Sequence, residues 1–364
     1  MTLLRELTEL LAFGSTDFAR DSLPIPADLK TPYKIERLLV GPSDKRGSFD
    51  EKAVDVPFVF RHQGRFYMTY LGFEGIGYQT GLASSPDLLN WRKEGVILPR
   101  NPRANILRYN AAMTWILREN DVFGPGRLKK IRGRYLGTYL AMPGSGYETG
   151  PGVIGLCWSR DLRHWEIEPP CLLPQNGTEC EKAGLYKACL VEYRGLYHIF
   201  YNAKNRARGW REQIGVATSR DLKTWVRNPA SPIPQNGPAG SFDERFASDP
   251  CVLKYKNEWA VFYCGLDRKG VARDLLALSR DMVHVRKCEG SPIAPGPKKT
   301  VDSIDAHKPS IIIHWGTMYH FYCAVSHEYG RGISAAASRP GQRSVRATGK
   351  RSNVPRRLSI HSEN

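Results

Sequence analysis

Acids, amines and an imidazole gather in four short stretches of this 364-residue chain: GSFDEKAVDVP (47–57), GTECEKAGLYKA (177–188), GSFDERFASDP (240–250) and TVDSIDAHKP (300–309). A further stretch, RYNAAMTW (108–115), takes the corresponding place with Asn110 as its polar group. One or two positions before the closing proline or alanine stand Asp55, Lys187 after Tyr186, Asp249, and His307 with Lys308. These residues vary while the frame around them repeats, so the frame does not require them. Carboxylates and ammonium groups brought together are costly to bury unless they pair with one another or with a ligand. They form either a ring of mutual salt bridges or a site in which carboxylates move protons while Lys187, His307 and Lys308 hold an anionic or hydroxyl-rich group.

A second column lies seven positions before the proline or alanine and is always acidic: Asp50, Glu181, Asp243 and Asp302. A column that repeats with the fold caps a turn or serves chemistry, and both readings are open for it. Glu181 is its only Glu, and the extra methylene gives it the reach of a proton donor. Tyr78, Tyr147, Tyr186 and Trp210 offer flat faces for a ligand ring, or fill the core.

The elements that must position these residues follow from an internal repeat. LASSPDLLNW (82–91), LCWSRDLRHW (156–165), VATSRDLKTW (216–225) and ALSRDMVHV (277–285) share a Ser-x-Asp-Leu/Met core, and AAASRP supplies a weaker fifth copy. Their Ser residues, 85, 159, 219, 279 and 338, are spaced by 74, 60, 60 and 59. Ahead of each lies a hairpin of two β-rich runs, as in PFVFRHQGRFYMTYLG (57–72) and PCVLKYKNEWAVFYCG (250–265), with Gly64, Gly195, Asn257 and Gly316 at the turns. Strand, hairpin, strand, loop, strand, Asp turn and final strand make a four-stranded antiparallel blade. The repeats predict an all-β, five-bladed β-propeller. The last repeat runs out of strands near Ser338, so YKIERLLVG (33–41) is expected to supply its outer strand and close the ring. GPGRLKKIRGR (124–134) is expected to widen a hairpin in the second blade. The predicted organisation is an N-terminal extension over 1–29 containing a short helix at 3–13, the propeller over 30–338, and a basic tail over 339–364.

Composition fits a turn-rich globular chain: 41% hydrophobic, with 34 Gly and 25 Pro. The net charge is +17, of which the tail carries seven Lys/Arg against one Glu. The charge raises nucleic acid as a partner, but the body holds no Lys/Arg run, and that partner ranks last. No apolar stretch reaches membrane-spanning length and no leader with a cleavage site precedes the body, so the chain reads as cytoplasmic. Eight Cys without zinc-ligand spacing imply reduced thiols, and no metal or cofactor is called for.

With Asp-Pro at a blade entrance, hairpins of the form PxVxxxxGxFYMxYxG and SxDLxxW closing each blade, the sequence resembles the five-bladed glycoside hydrolases of families 43, 62, 32 and 68 and the family 130 mannoside phosphorylases. Strings such as GLYKACL, SDPCVL and AHKPSIIIHWGTMYHFYCAV resemble an uncharacterised bacterial branch of that superfamily. The resemblance implies cleavage of a glycosidic bond by paired carboxylates in the channel. Asp55 matches the first-blade base or nucleophile, the Asn110 region replaces the usual second-blade Asp, and the third-blade acid would be Glu181, displaced from its expected place. Asp249 would be a third carboxylate that orients substrate or tunes the acid, with Asn110, Tyr186, Lys187, His307 and Lys308 as substrate-binding residues. The expected partner is a carbohydrate, neutral or anionic. Phosphorolysis and non-catalytic sugar binding are the rival readings.

Overall fold

The computed structural model describes residues 22–206 and 209–340. The helix expected over 3–13 and the basic tail from 341 onward lie outside the described residues. Within them the chain is all-β, with only short 3-10 turns and no helix long and apolar enough to cross a membrane.

One antiparallel order recurs along the chain. In unit 1, Ala53–His62 pairs with Arg65–Phe73, which pairs with Tyr78–Ser85, which pairs with Arg92–Leu98. Unit 2 follows with Ala112–Ile116, Arg134–Ala141, Val153–Ser159 and Glu166–Leu172. Unit 3 runs through Gly184–Tyr193, Leu196–Asn205, Arg211–Ser219 and Val226–Arg227. Unit 4 holds Phe246–Tyr255, Glu258–Leu266, Ala272–Ser279 and Val285–Glu289. Unit 5 has Asp305–His314, Thr317–Ser326 and Gly330–Ala337, and its outer partner is Tyr33–Lys34, antiparallel to Ala336–Ala337. Val40 makes a further bridge to Ile333. Residues before 30 also pack: Leu23–Pro24 pairs with Cys288–Glu289, and Leu29 is fully buried.

The Ser-x-Asp-Leu signature is a turn. Ser85 Oγ accepts from the amides of Asp87 and Leu88, and Asp87 Oδ1 accepts from those of Leu89 and Asn90. Leu88 is left-handed at φ 68°, a strain that the side-chain hydrogen bonds offset, and Trp91 Nε1 seals the turn on Leu88 O at 2.8 Å. The same bonds recur from Ser159 and Ser219.

The acid column is also explained. Twenty residues after each member stands a Tyr whose hydroxyl donates to it: Tyr70 to Asp50, Tyr201 to Glu181, Tyr263 to Asp243 and Tyr322 to Asp302. A cation from the unit's outer strand completes each clamp, respectively Lys93, Arg227, Lys287 and Lys34. The clamp ties the loop entering a unit to its second and outermost strands.

The inner strands carry the feature that positions the site. Just before the proline or alanine, the register slips between Asp55 and Phe58, Tyr186 and Ala188, Ser248 and Cys251, and His307 and Ser310. Val56, Lys187, Asp249 and Lys308 sit there at φ 48°, 21°, 54° and 69°. Such a bulge re-aims the neighbouring side chains, and Pro57, Pro250 and Pro309 are tolerated there because a bulge has no ladder donor to lose.

Segment 117–128 does more than widen a hairpin. It lies across the inner strands: Arg118 donates to Val59 O at 2.6 Å and to Ile311 O at 2.7 Å, Asn120 Nδ2 to Glu192 O at 3.4 Å, and Val122 N to Lys254 O at 2.8 Å. Units 1, 3, 4 and 5 are thereby all bonded to a loop of unit 2.

Candidate functional site

The bulges bring side chains from different units around one pocket of about 440 Å³, counted out to its open mouth. Tyr147, Glu148, Tyr186, Trp210, Glu212, Asp249, His307, Lys308 and Arg331 line it.

Asp55 lies beneath the floor, fully buried. Its Oδ2 accepts from Lys308 Nζ at 2.8 Å, Arg331 at 3.0 Å, Tyr147 OH at 3.2 Å and Tyr78 OH at 3.3 Å. Burial alone would raise this carboxyl, but the Lys308 and Arg331 charges outweigh it and hold its pKa well below the ordinary aspartate range. Asp55 is therefore a fixed anion that sets the two cations in place. Lys308 is held charged in turn, because Asp55 outweighs the cost of burying the ammonium.

Asp249 lines the pocket wall. Asn202 Nδ2 reaches its Oδ1 at 3.4 Å, and Asn202 Oδ1 accepts from its amide at 2.7 Å. Lys187 is buried behind that wall and donates to Asp249 O at 3.3 Å. His307 is on the wall as a neutral imidazole, since burial and the nearby Arg331 and Lys308 charges push its pKa well down. Tyr186 forms part of the wall, with the Lys204 ammonium 4.7 Å above its ring.

Two of the expected site residues are placed elsewhere. Glu181 belongs to the clamp column: Tyr201 OH donates to Oε1 at 2.8 Å and Arg227 Nε to Oε2 at 2.8 Å, and it does not line the pocket. Its carboxylate is met by Arg227 where the other clamps have a lysine. Asn110 ties unit 1 to unit 2, accepting from Tyr78 N at 2.8 Å and donating to Gly144 O at 3.4 Å.

Glu148, Glu212, Lys204 and Arg331 were not singled out by the sequence. Lys204 Nζ is 2.7 Å from Glu148 Oε2 and 3.4 Å from Glu212 Oε1. Glu212 also accepts from Trp210 Nε1 at 3.1 Å and from Asn202 Nδ2 at 3.2 Å, so Asn202 spans Glu212 and Asp249. The two glutamates are driven apart in acidity. Burial pushes both up, but Lys204 and Lys308 overcome it at Glu148 and hold that group below the ordinary range. At Glu212 burial prevails over Lys204, reinforced by the Glu148 and Asp249 charges, and the carboxyl is held above it. A signal was present in the sequence: seven residues before the five repeat serines stand Tyr78, Gly152, Glu212, Ala272 and Arg331, and all of this third-strand column but Gly152 faces Asp55 or the pocket.

The model of the glycosyl hydrolases family 32 N-terminal domain matches residues 119–261 and again 187–335, an overlap expected where a unit repeats. The chain belongs to the propeller glycoside hydrolase superfamily. Among solved structures, this glycoside hydrolase relative is similar to BT0996, described in an RGII complex, at TM-score 0.78 and 29% identity, covering 90% of this chain and 97% of that one. It is similar to another described as "Glycoside hydrolase", at TM-score 0.77 and 29% identity over 89% and 96% of the two chains. A member of the GH130 family of mannoside phosphorylases shares the fold at TM-score 0.64 and 14% identity, over 88% and 98% of the chains. Among curated proteins, Uncharacterized protein MT1551 of Mycobacterium tuberculosis (strain CDC 1551 / Oshkosh) is 24% identical over 231 residues, 60% of this chain and 69% of that protein.

Proposed function

We propose that this protein hydrolyses a glycosidic bond within a ring of five blades, with Glu212 as the proton donor and Glu148 as the carboxylate that attacks or activates water. Opposite displacement of two neighbouring carboxyl groups supports this reading, because glycoside cleavage needs one acid kept protonated and one kept ionised. Lys204 touches both groups and stabilises negative charge at either as the proton moves. Asp249, joined to Glu212 through Asn202, is the third carboxylate, and its charge helps retain the Glu212 proton. Trp210, partly exposed at the pocket wall, supplies a stacking surface for the sugar ring, while Tyr186 is covered by the Lys204 and Lys308 ammonium groups. Asp55, expected as base or nucleophile, becomes the anchor of Lys308 and Arg331, because two cations and two phenols already occupy its acceptor.

Hydrolysis is favoured over phosphorolysis because Lys308 and Arg331, the cations that would hold phosphate, are engaged by Asp55, and Lys204 by the two glutamates. Closure of the ring is supported by the pairing of Tyr33–Lys34 with the last strand and by Val59 N donating to Ser310 Oγ at 3.0 Å between units 1 and 5. The deciding experiment assays purified protein on a panel of aryl glycosides and oligosaccharides, with and without inorganic phosphate. Phosphate-independent release of free sugar from oligosaccharides that Glu212→Gln lowers by roughly a hundredfold to ten-thousandfold is expected. Turnover that requires phosphate, or saturable sugar binding without turnover, would overturn the hydrolase reading.

A further inference from the structure

The first strand of unit 1 begins near Asp55 and ends at Arg61 and His62, roughly 20 Å away at about 3.3 Å per residue. At that far end Arg61, His62, Gly64 and Arg127 wall a second cavity of about 560 Å³, counted out to its open mouth. Arg61 and Arg127 form a parallel bridge, and Arg61 N donates to Gly126 O at 3.0 Å. Residues paired in this way place their side chains on one face, and both arginines line the cavity.

Neither guanidinium forms an ion pair with a carboxylate among the described residues. Arg61 lies over the Phe66 ring at 5.7 Å, and Arg127 is exposed. Glu119 accepts from the Arg127 backbone amide at 3.4 Å and makes no ion pair with its side chain. Other basic groups nearby are already compensated: Lys129 pairs with Glu192 at 2.7 Å and Arg134 with Glu166 at 3.1 Å. Lys130, over the Tyr135 ring at 4.6 Å, adds a further positive charge beside His62.

Two like charges lining one cavity repel one another, and no carboxylate among the described residues compensates either of them. Their planar donor forks match the geometry of an oxyanion, which would relieve the repulsion and accept from both. We propose that the Arg61–Arg127 cavity is a second ligand site, remote from the carboxylate pocket, that binds a phosphate or carboxylate group of an anionic ligand. Segment 117–128 carries Arg127 to this place while also crossing the inner strands, so the same insertion builds the site and braces the fold.

Calorimetric titration of the full chain at fixed ionic strength, with inorganic phosphate in one arm and glucuronate in the other, tests the site. Saturable binding is expected for at least one anion, weakened roughly tenfold or more in Arg127→Gln, whose melting temperature should match the parent. The tighter arm identifies the group bound. Arg61→Ala should weaken the same arm; if it fails to fold, Arg127→Gln at the exposed position still decides. Binding unchanged in Arg127→Gln, or no saturable binding of either anion by the parent protein, overturns the proposal.

Discussion

Glu148 and Glu212 share one ammonium, that of Lys204, at 2.7 Å and 3.4 Å, yet the same neighbourhood lowers the pKa of the first and raises that of the second. The division follows from position. Glu148 holds the shorter contact with Lys204, whereas Glu212 faces the charges of both Glu148 and Asp249.

Activity should therefore follow a bell. Glu148 must be ionised, so the rate falls as pH drops through its lowered pKa; Glu212 must be protonated, so the rate falls again as pH rises through its raised one. The optimum brackets the ordinary glutamate value of about 4.3 and extends above it. Glu212→Gln should reduce kcat/KM by roughly a hundredfold to ten-thousandfold and remove the alkaline limb. A pH profile whose alkaline limb survives in that variant would take the proton-donor role from Glu212.

Asp55→Asn should act on the fold. It leaves Lys308 and Arg331 buried side by side without their counter-charge, which costs about 3 to 5 kcal/mol. The Asp55 pKa is lowered on folding, so its contribution is present above the unfolded value of about 3.9 and is lost as pH falls through the folded one. Urea melts across a pH series should show a shallower acid-side loss in the variant. Equal stability of the two proteins at neutral pH would contradict the anchor role.

Glu181→Gln should separate clamp from catalyst. The amide oxygen still accepts from Tyr201, but the charge-assisted bond from Arg227 weakens, at a cost of about 1 to 3 kcal/mol. Specific activity of the folded fraction should be unchanged. A hundredfold loss of activity without a fall in melting temperature would return Glu181 to the chemistry.

Arg118→Met should be among the more damaging single changes outside the pocket. It removes the donors that satisfy Val59 O and Ile311 O, each carbonyl costing about 1 to 3 kcal/mol when left buried and unpaired. Denaturant titration that finds a loss below about 1 kcal/mol would show that the two carbonyls find other partners.

What the sequence revealed was whatever depends on local order. The serine spacing marked the turns after the third strands, because Ser85, Asp87 and Trp91 close their turn by bonds among themselves. The residues before the prolines were also visible, and Asp249, His307, Lys308 and Tyr186 do line one pocket. Glu148 and Glu212 were not, since neither belongs to a blade entrance: Glu148 lies in a loop at φ 53° and Glu212 at the start of a third strand. Glu212 stands opposite Lys204 in one hairpin, a relation its place before the repeat serine could have signalled, but Glu148 reaches the same ammonium from 56 residues away, which no spacing along the chain encodes. Glu181 misled for a related reason. Its chemical difference from Asp50 was visible, but the partner that explains it, Arg227, lies 46 residues away.

Segment 117–128 has a bearing on how the molecule comes apart. An array of alike units, each touching only its neighbours, can lose them one at a time from an end. Here a loop of the second unit grips strands of all the others, and it can dock only once those strands exist. It thus acts as a latch set late: contacts absent from the folding transition state slow unfolding far more than they hasten folding. Heating should yield one sharp calorimetric transition, and stepwise melting would show that the latch does not hold the units together.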